Sequence, residues 1–179
     1  IRVYVGLQTA DTDEARMAVL LSELERSGAF EREVLVIAPT TGTGWINPIA
    51  ARSLELRYNG DSASVGSQYS YLPSWISFLG DQQKSMDSGA MMIDAIHQRW
   101  LQWPEDSRPK LMLYGESLGS MAGQGAFGYL PDGDRRWLRG KSLLDIGCAS
   151  GRETAEIWLK LDGQVLITAI DAVPSMLEL

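Results

Sequence analysis

Short apolar runs alternate with segments of helical periodicity along the whole chain, and that alternation leaves few folds open. Residues 2–7, 34–38, 63–68, 111–114, 142–146 and 164–170 read as strands. The run Val34-Leu35-Val36-Ile37-Ala38 is apolar at every position, as in a strand buried on both faces. Between the first two runs, Met17, Leu20, Leu21 and Leu24 recur at helical spacing. Asp11 reads as the N-cap of that helix, Glu14 completes a capping box, and Gly28 suits the C-cap. Residues 48–57 read as a weaker helix. Residues 82–103 predict a long one, with Met86, Ala90, Ile93, His97 and Trp100 along one face and Pro104 as its stop. Further helices are expected over 118–129 and 152–161, and another begins at 175. Strand–helix–strand order repeated in this way predicts an α/β fold: a three-layer sandwich with a mostly parallel sheet of about six strands and helices on both faces.

Composition narrows the function classes. A hydrophobic fraction of 45% over 179 residues supports an ordinary globular core. The net charge of −7 argues against a nucleic-acid partner and leaves a small-molecule substrate as the natural expectation. No apolar run approaches the roughly 18 residues needed to span a bilayer, and no signal-peptide pattern is visible, so a soluble, cytoplasmic chain is expected. The single cysteine, Cys148, cannot form an internal disulfide and fits a reducing compartment. No metal-ligand spacing occurs. The chain has one histidine, His97.

Chemistry concentrates at Gly115-Glu116-Ser117-Leu118-Gly119. This stretch follows the apolar run 111–114 and opens a small-residue segment, so it reads as strand, sharp turn and helix with a serine at the tip. That is the G-x-S-x-G nucleophile elbow. Flanking glycines permit a strained turn and close helix–strand packing. Ser117 is the candidate nucleophile. The N–H of Leu118, at the helix start, would face a developing oxyanion. The loop Pro39-Thr40-Thr41-Gly42-Thr43-Gly44-Trp45 is glycine-rich, and its Thr41 and Gly42 N–H groups are candidates for the second donor. Tyr69, Tyr71, Trp75 and Phe78 either line an acyl pocket or pack their own loop down, and packing is the favoured role.

Residues 1 to about 128 resemble a bacterial α/β-hydrolase family of poorly defined function, whose members usually carry this domain behind membrane-spanning helices. The resemblance rests on Arg2-Val3-Tyr4-Val5-Gly6-Leu7, the loop 39–45, Gln68-Tyr69-Ser70-Tyr71-Leu72-Pro73-Ser74-Trp75 and the elbow, in that order. It implies a serine hydrolase acting on an ester or related acyl bond through Ser117, with no cofactor. A serine needs a base to take its proton. In this fold the triad order is Ser, then Asp or Glu, then His. No histidine follows Ser117, and His97 sits within a helix that should pack on the sheet face, away from the strand tips. The expected hydrolase is therefore impaired.

The tail resembles something else. Leu144-Asp145-Ile146-Gly147-Cys148-Ala149-Ser150-Gly151 is similar to the first motif of S-adenosylmethionine-dependent methyltransferases, with Ala149 where that family usually has glycine. Asp171 ends the next strand, 20 residues after Gly151, a spacing shared by nucleotide-binding βαβ units. The resemblance implies cofactor contacts from Asp145, Gly147, Gly151 and Asp171. Pro131-Asp132-Gly133-Asp134 marks the junction, dividing an α/β-hydrolase-like portion, 1–130, from a Rossmann-like βαβ portion, 131–179, that continues the same sheet. Such a joint reads as a chimera, a designed chain or a fragment. Three functions stay open: a serine hydrolase, an S-adenosylmethionine-binding module, or a non-catalytic α/β scaffold.

Overall fold

The structure is a computed structural model that describes residues 1–71, 82–116, 119, 120, 122, 123, 142–146 and 166–170. Among these residues the main sheet has four strands: β1 (Arg2–Val5), β2 (Val34–Ile37), β3 (Ser62–Ser67) and β4 (Lys110–Leu113). They are ordered β1-β3-β2-β4 and every pairing is parallel. The expected α/β architecture with a parallel sheet is what forms. Two further strands, β5 (Ser142–Ile146) and β6 (Leu166–Ile170), pair with each other, also parallel, as a two-stranded sheet. The helices expected over 152–161 and from 175 lie outside the described residues.

Among the described residues three helices make the crossovers: α1 (Asp13–Arg26), α2 (Pro48–Arg57) and α3 (Gln82–Leu101). Parallel strands require crossovers, and right-handed ones fix which face each helix covers. β1 to β2 and β3 to β4 both step forward in the sheet, so α1 and α3 share a face. β2 to β3 steps back, which sends α2 to the other. The core follows this rule. Val3, Val5, Leu35, Ile37, Ala63 and Val65 of the sheet meet Met17, Leu20 and Leu24 of α1 and Met92, Ile93 and Ile96 of α3. Each large apolar side chain buried there contributes about 1.5–3 kcal/mol relative to exposure. On the opposite face Arg2 forks onto Glu55 of α2 at 2.6 and 2.9 Å. β2 is buried at all four positions, as expected of a strand covered on both sides.

Local boundaries shift where a better cap exists. The N-cap of α1 is Thr12 rather than Asp11. Thr12 is extended (φ −121°, ψ 158°) and its Oγ1 accepts from the Ala15 N–H at 3.1 Å. The acids Asp13 and Glu14 then sit in the first turn, where the helix dipole favours them. Ser27 is the C-cap, and Gly28 follows in the left-handed region at φ 71°. In α3 the buried stripe runs through Ser85, Gly89, Met92, Ile93, Ile96 and His97, while Met86 and Ala90 form its half-buried flank.

α3 also meets the segment after the elbow. A Cβ on Gly89 would overlap the carbonyl oxygen of Ala122, which is itself buried. Replacing an exposed helical glycine by alanine ordinarily stabilises by about 1 kcal/mol. Gly89→Ala is expected to do the reverse, costing about 1–3 kcal/mol through overpacking, as read from the midpoint of urea unfolding. A gain in stability would mean that this contact is loose.

Candidate active site

Parallel strands place their C-terminal ends at one edge, and the loops there grow directly out of the ladder. Ala38 N–H donates to Val65 O at 2.8 Å, Gln68 N–H to Val5 O at 3.0 Å, and Tyr114 N–H to Ile37 O at 2.9 Å. β2 sends its helix to one face while its neighbour β3 sends its helix to the other. The crevice at such a switch point is where open α/β sheets place their ligands. The loop 38–47 rises from β2 at that point, and the elbow rises from β4 beside it.

The two glycines of the elbow are demanded by close approach. A Cβ on Gly115 would lie 2.5 Å from the Gly119 carbonyl oxygen and 2.7 Å from the Ser120 nitrogen. A Cβ on Gly119 would overlap the Pro39 carbonyl oxygen. Gly119 N–H donates to Glu116 O at 2.9 Å. Residues 119, 120, 122 and 123 are helical, within the expected helix 118–129. The strand, the start of the helix and the β2 loop are thus packed to backbone contact. Ser117 and Leu118 themselves lie outside the described residues, as do Gly147, Gly151 and Asp171. Asp145 pairs with Ala169 across β5 and β6.

The loop is held by a set of hydrogen bonds. Thr40 Oγ1 donates to Ser67 O at 2.9 Å in a buried setting. Gly44 N–H donates to Thr41 O at 2.9 Å, and Thr41 N–H to Trp45 O at 3.2 Å. An oxyanion would therefore compete with the Trp45 carbonyl for the Thr41 donor, whereas Gly42 sits buried at the turn between these bonds. Gly44 has φ 85° and its Cβ position is filled by the Tyr4 hydroxyl, which donates to Gly44 O at 3.0 Å. Gln68 Nε2 ties Thr43 O (3.4 Å) to Ser70 O (2.9 Å). Of the aromatic loop, Tyr69 is buried and Tyr71 is exposed; Trp75 and Phe78 lie outside the described residues.

Three residues that the motif reading passed over complete the site. Glu116 accepts from Asn47 Nδ2 at 3.0 and 3.2 Å and from the Tyr114 hydroxyl. With Pro39, Thr41 and Trp45 they wall a small cleft beside the elbow. Asn47 had a legible signal: an Asn directly before a Pro is a common N-cap and N1 pair. The partnership with Glu116 had none, because 69 residues separate the two.

His97 is elsewhere. It is 1% exposed and stacks on Trp100 with ring centroids 5.8 Å apart. Trp100 Nε1 donates at 2.8 Å to the carbonyl of Pro109, which directly precedes β4. That is the opposite edge of the sheet from the elbow. Eight residues of helix separate His97 from Gly89, about 12 Å at 1.5 Å per residue. Its position is that of a packing residue of the core.

Among the described residues no cluster of three or more His, Cys, Asp or Glu could hold a metal ion. Among the same residues no helix is long and apolar enough to cross a membrane. The sequence matches the alpha/beta-hydrolase family over residues 1–150. The chain belongs to that family. A search of curated proteins finds no match. The alpha/beta-hydrolase match runs past residue 130 and through β5, so it takes in Asp145 and Gly147 of the glycine-rich tail segment.

Burial, the hydrogen bond to Glu116 and that group's negative charge together hold the Tyr114 phenol well above its ordinary range. The unfolded phenol titrates near pH 10. A raised folded value means that this contribution to stability is complete below about pH 10 and fades as pH rises beyond it. The difference in phenolate absorbance between the parent and Tyr114→Phe isolates the Tyr114 curve. Glu116→Gln should move that curve down, but only part of the way, because burial remains. An unmoved curve would show that Glu116 does not reach the phenol.

Proposed function

We propose that this alpha/beta-hydrolase chain performs acyl transfer through Ser117, attacking an ester or related acyl carbonyl of a small molecule. The observation that carries this reading is the pair of glycines, Gly115 and Gly119, whose Cβ positions are filled by backbone on either side of the serine. Such crowding is the purpose of the G-x-S-x-G pattern: it holds a side chain out at the head of a helix. Ser117 Oγ would add to the carbonyl carbon while the carbonyl oxygen takes up negative charge. The N–H groups of Leu118 and Gly42 would receive that charge, with Thr41 N–H as a third donor if the Trp45 carbonyl yields it. The alcohol would leave with a proton, and water would release the acyl group.

The base is the weak point of this chemistry. His97 is buried at the other edge of the sheet, and no histidine follows Ser117 within these 179 residues. The reading therefore combines a pre-shaped nucleophile with slow turnover. The test is intact mass after treatment with a fluorophosphonate, an electrophile reactive enough to trap a weakly activated serine. One adduct that disappears in Ser117→Ala is expected. No adduct on the folded protein would leave the elbow as geometry without chemistry, and a non-catalytic scaffold as the better account.

A second reading has its own observation. β5 and β6 are parallel, with Ile146 paired to Ile170, so the two strands end side by side, and Gly147 and Asp171 are the residues that follow them in the sequence. That is the arrangement a nucleotide-type βαβ site needs. In this reading Gly147 and Gly151 let the backbone approach S-adenosylmethionine, while Asp145 and Asp171 bond its polar groups, Asp171 at the ribose hydroxyls. Calorimetric titration with S-adenosylmethionine decides it: saturable heat that Asp171→Ala abolishes supports the module, and no heat at millimolar ligand ends it.

A further inference from the structure

The loop 38–47 is held to the elbow at two points. At its start, Pro39 is in backbone contact with Gly119. At its end, Asn47 Nδ2 donates to Glu116. Asn47 uses its other side-chain atom on α2, where Oδ1 accepts from the N–H groups of Ile49 at 2.9 Å and Ala50 at 3.4 Å. One amide side chain therefore joins the head of α2 to the residue directly before Ser117. Glu116 is suited to the other half of this link. An ionised carboxylate only accepts, so it receives Asn47 and the Tyr114 hydroxyl together without opposing protons. Hydrogen bonds to a charged group are also shorter and stronger than neutral ones.

We propose that Glu116 is a positioning residue: gripped by Asn47 and Tyr114, its carboxylate fixes the elbow against the loop 38–47 and so sets the separation between Ser117 and the oxyanion donors of that loop. The proposal rests on the reading of Ser117 as nucleophile and adds to it what holds the reacting atoms in register. A cap that only stabilised α2 would need Asn47 Oδ1 alone; the link to Glu116 ties that helix to the reaction centre.

Asn47→Asp separates the two roles. Aspartate caps a helix as well as asparagine does, so α2 keeps its start. The donor to Glu116 is lost and two carboxylates face each other. Glu116→Gln added to Asn47→Asp rebuilds the link in reverse: the amide introduced at position 116 donates to the carboxylate introduced at position 47, and its oxygen accepts from Tyr114. Two readouts are taken: the rate of fluorophosphonate capture by Ser117, and amide hydrogen exchange over residues 114–120. Asn47→Asp should slow capture by about tenfold or more, the scale of a small misplacement of reacting groups, and should speed exchange. The double variant should recover both toward the parent, with thermal midpoints close throughout. Unchanged capture and exchange in Asn47→Asp, or losses that the double variant fails to reverse, would overturn the proposal. If the parent takes no adduct, the nucleophile reading fails by itself. Exchange then decides the tether: unaltered exchange in Asn47→Asp refutes it, and raised exchange that the double variant reverses upholds the link.

Discussion

The parallel ladder on both edges of β2 is the constraint from which the rest of the structure follows. β2 pairs with β3 on one side and β4 on the other, and all four of its residues are buried. A strand so enclosed has no polar face to offer water, which is why its sequence is apolar throughout. Because its neighbours run parallel, each connection must climb over a face of the sheet. Right-handed crossovers then place α1 and α3 together and α2 alone. They also deliver the loop after β2 and the turn after β4 to the same edge, one ladder step apart. The position of the candidate site is thus a consequence of strand order.

Local chemistry made much of this legible in sequence. The apolar run 34–38, the helical spacing of Met17, Leu20 and Leu24, and the punctuation at Gly28 each report a property that a residue carries with it. The described strands and helices fall within a residue or two of where those signals place them. The misreading of Asp11 as a cap is instructive. Asp11 and Thr12 are both competent capping types, and the choice depends on which one the chain holds extended as it leaves β1, where the Gly6–Thr9 turn intervenes. That is a matter of tertiary path, not of residue preference.

The candidate site was legible only in part for a related reason. Its candidate serine stands out in sequence because the G-x-S-x-G pattern is local: glycines flanking a serine between an apolar run and a small-residue segment fall within five residues. Its supports do not. Asn47 and Glu116 meet because β2 and β4 are neighbours, and the Tyr4 hydroxyl reaches Gly44 because β1 lies one strand beyond β3. Sequence spacing cannot encode contacts that strand order creates. His97 shows the converse case: its place within a long helix was enough to put it on a sheet face, and the structure buries it against the Trp100 ring at the far edge.

Membership of the alpha/beta-hydrolase family sharpens one physical question, where the proton of Ser117 would go. Glu116 is the carboxylate directly before that serine in the chain, yet donors reach it from both sides. Oxygens bound by Asn47 and by a phenol held in its protonated form are arranged to stay put, which is the character of an anchor rather than of a group that moves toward a substrate. Any general base must then come from a part of the protein that reaches the same sheet edge by another route. The backbone crowding at Gly115 and Gly119 is a demand of packing that holds whether or not chemistry occurs beside it.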